Sequence, residues 1–294
     1  MRNVICTIAF ALCAVDASGQ PLSPFRNADG LKIVVADQNA PTLRVILPGS
    51  ADSDKSIEVI FPEHVTARLH GSNEAEHLYM FTSPDARPSW HQSRSSVEYE
   101  MDVKSGIHFL ARGVLQEDGV LFHYEFTNRS QKAYDMIYAV TDPRLTGIFH
   151  DVRLERTYVH HKNGFELLGS ETPKRVTMPL DQWLPSRYLD SYTWPVPNQR
   201  VERRDDGITY YNKSEPVDEP MVATLSTDRK WVVASFSRTT GNVWSNPELT
   251  CQHVDPVTPL PAGGKATLEV KLLVFSGTIE DALSKERSQR QSLQ

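Results

Sequence analysis

The chain has 294 residues, of which 39% are apolar and 23% charged, with 15 Gly and 19 Pro. That is enough apolar material for a sizeable core and too little bias for disorder, collagen or a coiled coil. Lys plus Arg number 31 against 37 Asp plus Glu, giving a net charge of -6 and a pI near 5.9. A protein that neutralises phosphates carries the opposite balance, so neither nucleic acid nor an anionic membrane is an expected partner.

Arg2 gives the chain a positive start, and Val4 to Val15 forms an apolar run of about twelve residues, too short to span a bilayer. Ala17-Ser18-Gly19 follows, with small residues where a signal peptidase reads, and then Gln20. This layout predicts a secretory signal of bacterial type over residues 1–19, cleaved before Gln20. The product is then secreted or periplasmic, with no membrane insertion. A buried N-terminal strand or helix is the competing reading. Cys6 and Cys13 leave with the signal, so Cys251 is the one remaining thiol. A single thiol makes neither an internal disulfide nor a thiolate metal cluster.

Downstream, short β-rich runs alternate with turn residues. Strands are predicted at Leu43–Leu47, Ser56–Phe61, Leu78–Thr82, Ser96–Met101, Ile107–Leu115, Val120–Asn128 and Tyr134–Val140. A second set falls at Ile208–Tyr211, Met221–Ser226, Trp231–Phe236, Val243–Trp244, Thr250–His253 and Ala266–Phe275. Glu117-Asp118-Gly119 reads as one hairpin tip and Thr227-Asp228-Arg229-Lys230 as another. Residues 170–220 hold seven of the 19 prolines, with Trp183, Tyr188, Tyr192 and Trp194 among them, and read as an irregular excursion over one face. Thr278, with Asp281 three residues on, opens a short polar helix that frays into a tail at 284–294. The expected architecture is all-β: one large antiparallel β-sandwich over residues 20–283.

Ten histidines are more than packing requires, yet no H-E-x-x-H and no Cys/His ligand spacing occurs. No metal or other cofactor is expected from that pattern. A zinc reading gathers ligands from distant strands, for example His150, His253 and Asp255. Adjacent His160 and His161 point to opposite faces of a strand and cannot share an ion. Two clusters carry the densest chemistry. The first is residues 149–156, where an extended chain puts His150, Val152 and Leu154 on one face and Asp151, Arg153 and Glu155 on the other. The second is residues 244–256, where Glu248, Thr250 and Gln252 alternate with Cys251, His253 and Asp255. Acid/base groups beside an indole suit sugar chemistry, because a pyranose offers hydroxyls at its edge and C–H bonds on its face. Turn formation and solvated Arg/Glu pairs are the plain structural alternative.

Phe126-Thr127-Asn128-Arg129-Ser130, with His150 further on, resembles the middle of galactose-mutarotase-like proteins, where a strand ending in Thr-Asn leads to one bearing a catalytic histidine. Gln252-His253, then Pro256, Pro259 and Pro261, Gly263-Gly264 and the strand Ala266–Phe275 resemble that family's C-terminal end. The layout is also similar to that of secreted bacterial proteins of this supersandwich type that have no assigned activity. The resemblance covers roughly residues 96–150 and 221–283 and implies a concave sheet that binds a saccharide. Two departures stand out. The family's histidine lies closer to Thr-Asn than the 22 residues between Asn128 and His150. Its glutamate, two residues before the glutamine, is replaced here by Thr250; Glu248 keeps the strand face but is displaced by about 7 Å.

The resemblance implies His150 or His253 as the acid and Glu248 or Asp255 as the base. Trp90, Trp194 and Trp244 become stacking surfaces, Arg153 and His91 orient the ligand, and Asn246 and Gln252 bind its hydroxyls. Epimerase or mutarotase chemistry and lyase or hydrolase chemistry both fit such a set. A non-catalytic saccharide-binding or envelope scaffold protein is the alternative, favoured by Thr250 at the glutamate position.

Overall fold

The computed structural model describes residues 30–49, 55–83, 87–93, 95–168, 186–189, 201–203, 209–212, 217–246 and 250–294. The N-terminal 19 residues, Glu248, Trp194 and most of the proline-rich excursion lie outside the described residues.

The largest sheet has nine strands in the order Gly164–Leu167, Thr157–His161, Met221–Leu225, Trp231–Ser237, Lys265–Ser276, Gly119–Asn128, Ile107–Gln116, Ser96–Val103 and His91–Gln92. Its centre shows how the sequence writes a sheet. Along Ile107–Gln116 burial alternates at every residue, with Ile107, Phe109, Ala111 and Leu115 inward. Its partner Gly119–Asn128 answers with Val120, Phe122, Tyr124 and Phe126. A period of two with aromatic and β-branched residues on one face packs a pleated surface against a core. Against that inner face lies a four-stranded sheet of Lys32–Asp37, Thr42–Ile46, Ser56–Ile60 and Asp142–Arg144, whose Leu43, Val45, Ile57 and Val59 complete the core. A second four-stranded sheet holds Thr258–Leu260, Tyr134–Ala139, His64–Leu69 and Ala75–Met80. The fold is thus the expected antiparallel β-sandwich.

The five strands Val201–Arg203, Thr209–Asn212, Ser186–Leu189, Asn242–Asn246 and Cys251–Val254 form the remaining sheet, with one parallel pair between Ser186–Leu189 and Thr209–Asn212. Three of these strands fall inside the excursion: Thr209–Asn212 matches the strand expected at Ile208–Tyr211, whereas Ser186–Leu189 and Val201–Arg203 were not expected, and each is only three or four residues long. Proline density limits their length without abolishing pairing. His64–Leu69 was not anticipated either, although Val65 and Ala67 alternate with polar residues and are fully buried there.

Met221–Leu225 and Trp231–Ser237 are buried on both faces, because the helix Ile279–Gln289 covers the outer side of the large sheet. Ile279, Ala282 and Leu293 join Ala223, Ala234 and Phe236 in that second core. The predicted capping box is present: Thr278 Oγ1 accepts from the Asp281 backbone N–H at 3.2 Å, and Asp281 accepts the Thr278 N–H at 2.8 Å. The expected tail from residue 284 is corrected, since the helix continues to Gln289 and Leu293 is buried. A helix of about three turns whose buried stripe is only Ile279, Ala282 and Glu286 shows little apolar periodicity, and contact with the sheet supplies the missing stability.

Asn128 explains why the two sequence segments behave as one. Its Nδ2 donates to the Lys132 and Pro261 carbonyls at 2.7 and 2.8 Å, and its Oδ1 accepts from the Ser130 N–H and hydroxyl. The Thr-Asn strand end is therefore pinned to the proline-bearing loop near the C-terminus. With Asn128 this buried, its sequon has no room for a glycan.

The Glu117-Asp118 turn closes the central hairpin, with Gln116 paired to Gly119. At Gly119 φ is 153°, and an added Cβ would lie 1.9 Å from the Leu272 carbonyl oxygen of the next strand. Gly119→Ala must push two central strands apart. It is expected to lower stability by at least about 1–3 kcal/mol in chemical denaturation, whereas Gly164→Ala, with nothing within 4 Å, carries only backbone strain.

Candidate functional site

The strand Cys251–Val254 runs antiparallel to Asn242–Asn246, pairing Val243 with Val254, Trp244 with His253, Ser245 with Gln252 and Asn246 with Cys251. Alternation puts Trp244, Cys251 and His253 on one face and Ser245 and Gln252 on the other. Val243 and Val254 are fully buried in the main core and fix the pair in place.

His253 is 6% exposed and Asp255 2%. Asp255 Oδ1 lies 2.6 Å from His253 Nδ1, and its Oδ2 accepts from Asn242 Nδ2 at 2.6 Å. The Trp244 ring stands 6.3 Å from the imidazole, tilted by 30°. Burial by itself would lower the imidazole pKa, but the charge and hydrogen bond of Asp255 outweigh it and hold the pKa above the ordinary histidine value. Asp255 shows the reverse: burial pushes its carboxyl up, while His253 and Asn242 pull it below the usual carboxylate range. With Nδ1 held, Nε2 is the nitrogen left for chemistry.

Three residues that sequence reasoning missed complete this face. Glu63 follows the Phe61-Pro62 turn between Ser56–Ile60 and His64–Leu69, while Asp142 and Arg144 sit on the edge strand paired with Ser56–Ile60. Arg144 donates to Glu63 Oε1 at 3.1 Å and stands 2.7 Å from Asp142 Oδ2. Asp142 Oδ1 accepts the Gln252 backbone N–H at 3.3 Å, and the Asp142 carboxylate also faces the Cys251 thiol. Burial raises the Glu63 carboxyl pKa and Asp142 raises it further, against the pull of His253 and Arg144. Burial, then the charges of Asp142 and Glu63, lift the Cys251 thiol well above its ordinary value. Next to Glu63, His64 shares Thr66 Oγ1 with His77 at 2.8 and 2.7 Å, and burial pushes its pKa down to about 3. The only local signal was the Glu63-His64 pair after a proline turn. Nothing in the spacing joins positions 63, 142 and 251.

His150 belongs to a different opening. Residues 147–149 form a 3₁₀ turn ending at His150, so the stretch read as extended is not a strand. Asp151 instead clamps the following loop, accepting the Glu155 and Arg156 N–H groups and the Thr157 hydroxyl. Its three acceptor bonds hold the chain in a bend, which removes the face expected for Asp151, Arg153 and Glu155 together. His150 is exposed and lines a small cleft of about 10 Å³, room for about one water, with Thr157, Ser245, Cys251 and Gln252. Gln252 Oε1 accepts from Thr224 at 2.9 Å, and its buried Nε2 has no hydrogen-bond partner among the described residues. His150 and Gln252 are thus brought together on one side of the strand, while His253, Asp255 and Trp244 gather on the other.

The remaining sequence candidates are dispersed. Trp90 packs against Tyr99 and Phe61 at 4.9 and 5.7 Å, as part of an aromatic cluster. His91 is exposed on the edge strand of the nine-stranded sheet, and Arg153 is exposed in the turn after Asp151. His70, His108, His123, His160 and His161 each stand within 2.6 to 3.5 Å of a carboxylate, which accounts for much of the histidine excess.

No protein-family model matches the chain, and no curated protein matches it. Among solved structures it is similar to a galactose mutarotase related enzyme from Lactobacillus acidophilus, at 12% identity and TM-score 0.49, over 87% of this chain and 98% of that one. It is also similar to a galactose mutarotase-like protein from Lactobacillus casei, at 11% identity and TM-score 0.46, over 86% and 99% of the two chains. The Slr1438 protein from Synechocystis sp. gives 9% identity and TM-score 0.46, over 93% and 100%. At these identities the chemistry of this chain has to be read from its own residues.

The two buried partners set a pH window. Asp255, with its pKa depressed, adds stability above its unfolded value of 3.8 that is lost as pH falls through the folded pKa. His253, with its pKa raised, adds stability below 6.5 that is lost as pH rises through the folded pKa. Wild type should therefore exceed D255N by the most between pH 3.8 and 6.5, by about 3 kcal/mol in urea denaturation, with the gap narrowing on both sides.

Proposed function

We propose that the protein is an exported carbohydrate-active protein whose acid/base centre is His253, oriented by Asp255, with Glu63 as the facing carboxylate. The observation that carries this reading is the held imidazole, with Asp255 2.6 Å from Nδ1, set beside a second carboxylate and an indole. Both pKa values are raised, so His253 holds a proton closer to neutral pH, as an acid that must protonate a sugar oxygen requires, and the Glu63 carboxylate is a stronger base than it would be in water. Asp255 keeps the imidazole in one tautomer and stabilises its charge after proton uptake. Trp244 offers the apolar surface that a pyranose face needs.

Glu63 takes the part that the resemblance implied for Glu248 as the base, and Thr250 at the family's glutamate position need not be compensated from the same strand. Export, with the mature chain beginning at Gln20, is part of the proposal and is read directly by N-terminal sequencing of protein recovered outside the cytoplasm.

Incubation with a panel of monosaccharides and uronate oligosaccharides, followed by NMR, separates anomer exchange from cleavage. Glu63→Gln and His253→Gln are expected to reduce turnover by roughly 10²–10⁴-fold, and Trp244→Ala to weaken binding. Saccharide binding that survives both acid/base substitutions without any turnover selects the non-catalytic binding role instead. No binding and no turnover across the panel removes the saccharide reading.

A further inference from the structure

We infer that Glu63, Cys251 and His253 form a binding site for a thiophilic divalent cation of the zinc class. A carboxylate oxygen of Glu63, the sulfur of Cys251 and a ring nitrogen of His253 all lie within 4.8 Å of one another. A tetrahedral ion with bonds of about 2.0–2.3 Å holds such atoms roughly 3.3–3.6 Å apart. Closure onto an ion therefore asks for shifts of about 1 Å, within the reach of side-chain torsions. One soft sulfur, one imidazole and one carboxylate favour zinc-like ions over magnesium or calcium, which take oxygen ligands.

Two features outside the three ligands point to the same occupant. Asp255 holds His253 Nδ1 at 2.6 Å and is itself fixed by Asn242, which is the carboxylate–histidine arrangement that orients an imidazole toward a metal. With Nδ1 held by Asp255, Nε2 of this largely buried imidazole is the ring nitrogen left for an ion. Glu63 is the least buried of the three and gives the ion its route in, leaving a fourth position for water or a ligand oxygen. The ion replaces the thiol proton that Asp142 receives, and Arg144, 2.7 Å from Asp142 and 3.1 Å from Glu63, offsets the added negative charge.

The site does not depend on the saccharide reading. It does constrain it, since an ion on Nε2 occupies the lone pair that would exchange a proton with a sugar, so the metal-loaded and proton-transferring states exclude one another.

The test uses the full chain carrying C6S and C13S, purified without a polyhistidine tag, stripped with chelator and titrated with Co²⁺. One equivalent should produce the thiolate-to-cobalt charge-transfer band in the near ultraviolet, and one equivalent of Zn²⁺ should remove it. Cys251→Ser should abolish the band, Glu63→Gln should weaken Co²⁺ binding, and Asp255→Asn should weaken it about 10–100-fold. If Cys251→Ser fails to fold by circular dichroism, Cys251→Ala and Glu63→Gln carry the comparison. No band at stoichiometric Co²⁺, or a band and affinity unchanged in the Cys251 and Glu63 variants, overturns the site. Sugar turnover is measured on the stripped protein, so failure of one reading leaves the other standing.

Discussion

The arrangement around Cys251–Val254 follows from the cost of placing charge inside a protein. Asp142 and Asp255 are almost fully buried, His253 is 6% exposed, and Glu63 and Arg144 are only partly open to water. Each ion taken out of water costs several kcal/mol unless a partner compensates. Arg144 therefore spans Glu63 and Asp142, Asp255 takes both His253 and Asn242, and Asp142 also collects the Cys251 thiol and a backbone N–H. A set of this kind tolerates little movement, because displacement of one member strands its neighbour in a low-dielectric interior.

Rigidity of that order comes from the sheets rather than from the site. The central antiparallel ladder and the helix packed behind it bury two apolar layers, one on each side of Met221–Leu225 and Trp231–Ser237. Thr224, on the first of these strands, reaches Gln252 and ties the site strand to the large sheet. Asn128 performs the matching task at the other end, joining a hairpin strand to the proline loop that precedes Lys265–Ser276. Buried polar side chains act here as fasteners between elements whose apolar contacts alone do not set register.

The same network gives the site a divided character. One face of the Trp244/His253 pair carries a buried acid/base set, and the other opens through Gln252 and Ser245 toward His150. A proton carrier needs a low-dielectric setting that shifts its pKa, whereas a ligand's hydroxyls need accessible donors and acceptors. The buried His253 face meets the first demand, while Gln252 and Ser245 on the other face are themselves buried.

The sequence determined the β-sandwich class, both hairpin turns and the capped helix start, because those depend on contacts within a few residues: a period of two, Asp-Gly, Thr-x-x-Asp. It also marked His253, Asp255, Trp244 and Gln252 as one cluster, since strand neighbours stay neighbours. Glu63, Asp142 and Arg144 were invisible there. Each sits in or beside a short turn or edge strand, with no local pattern to separate a functional carboxylate from an ordinary surface one. Which loops reach the site strand was equally illegible: alternation of faces is fixed along a strand, but the turn that brings His150 beside Gln252 is placed only when the sheets stack. Tertiary structure alone decided which charges were buried together, because the penalty that forces their pairing exists only once water has been excluded.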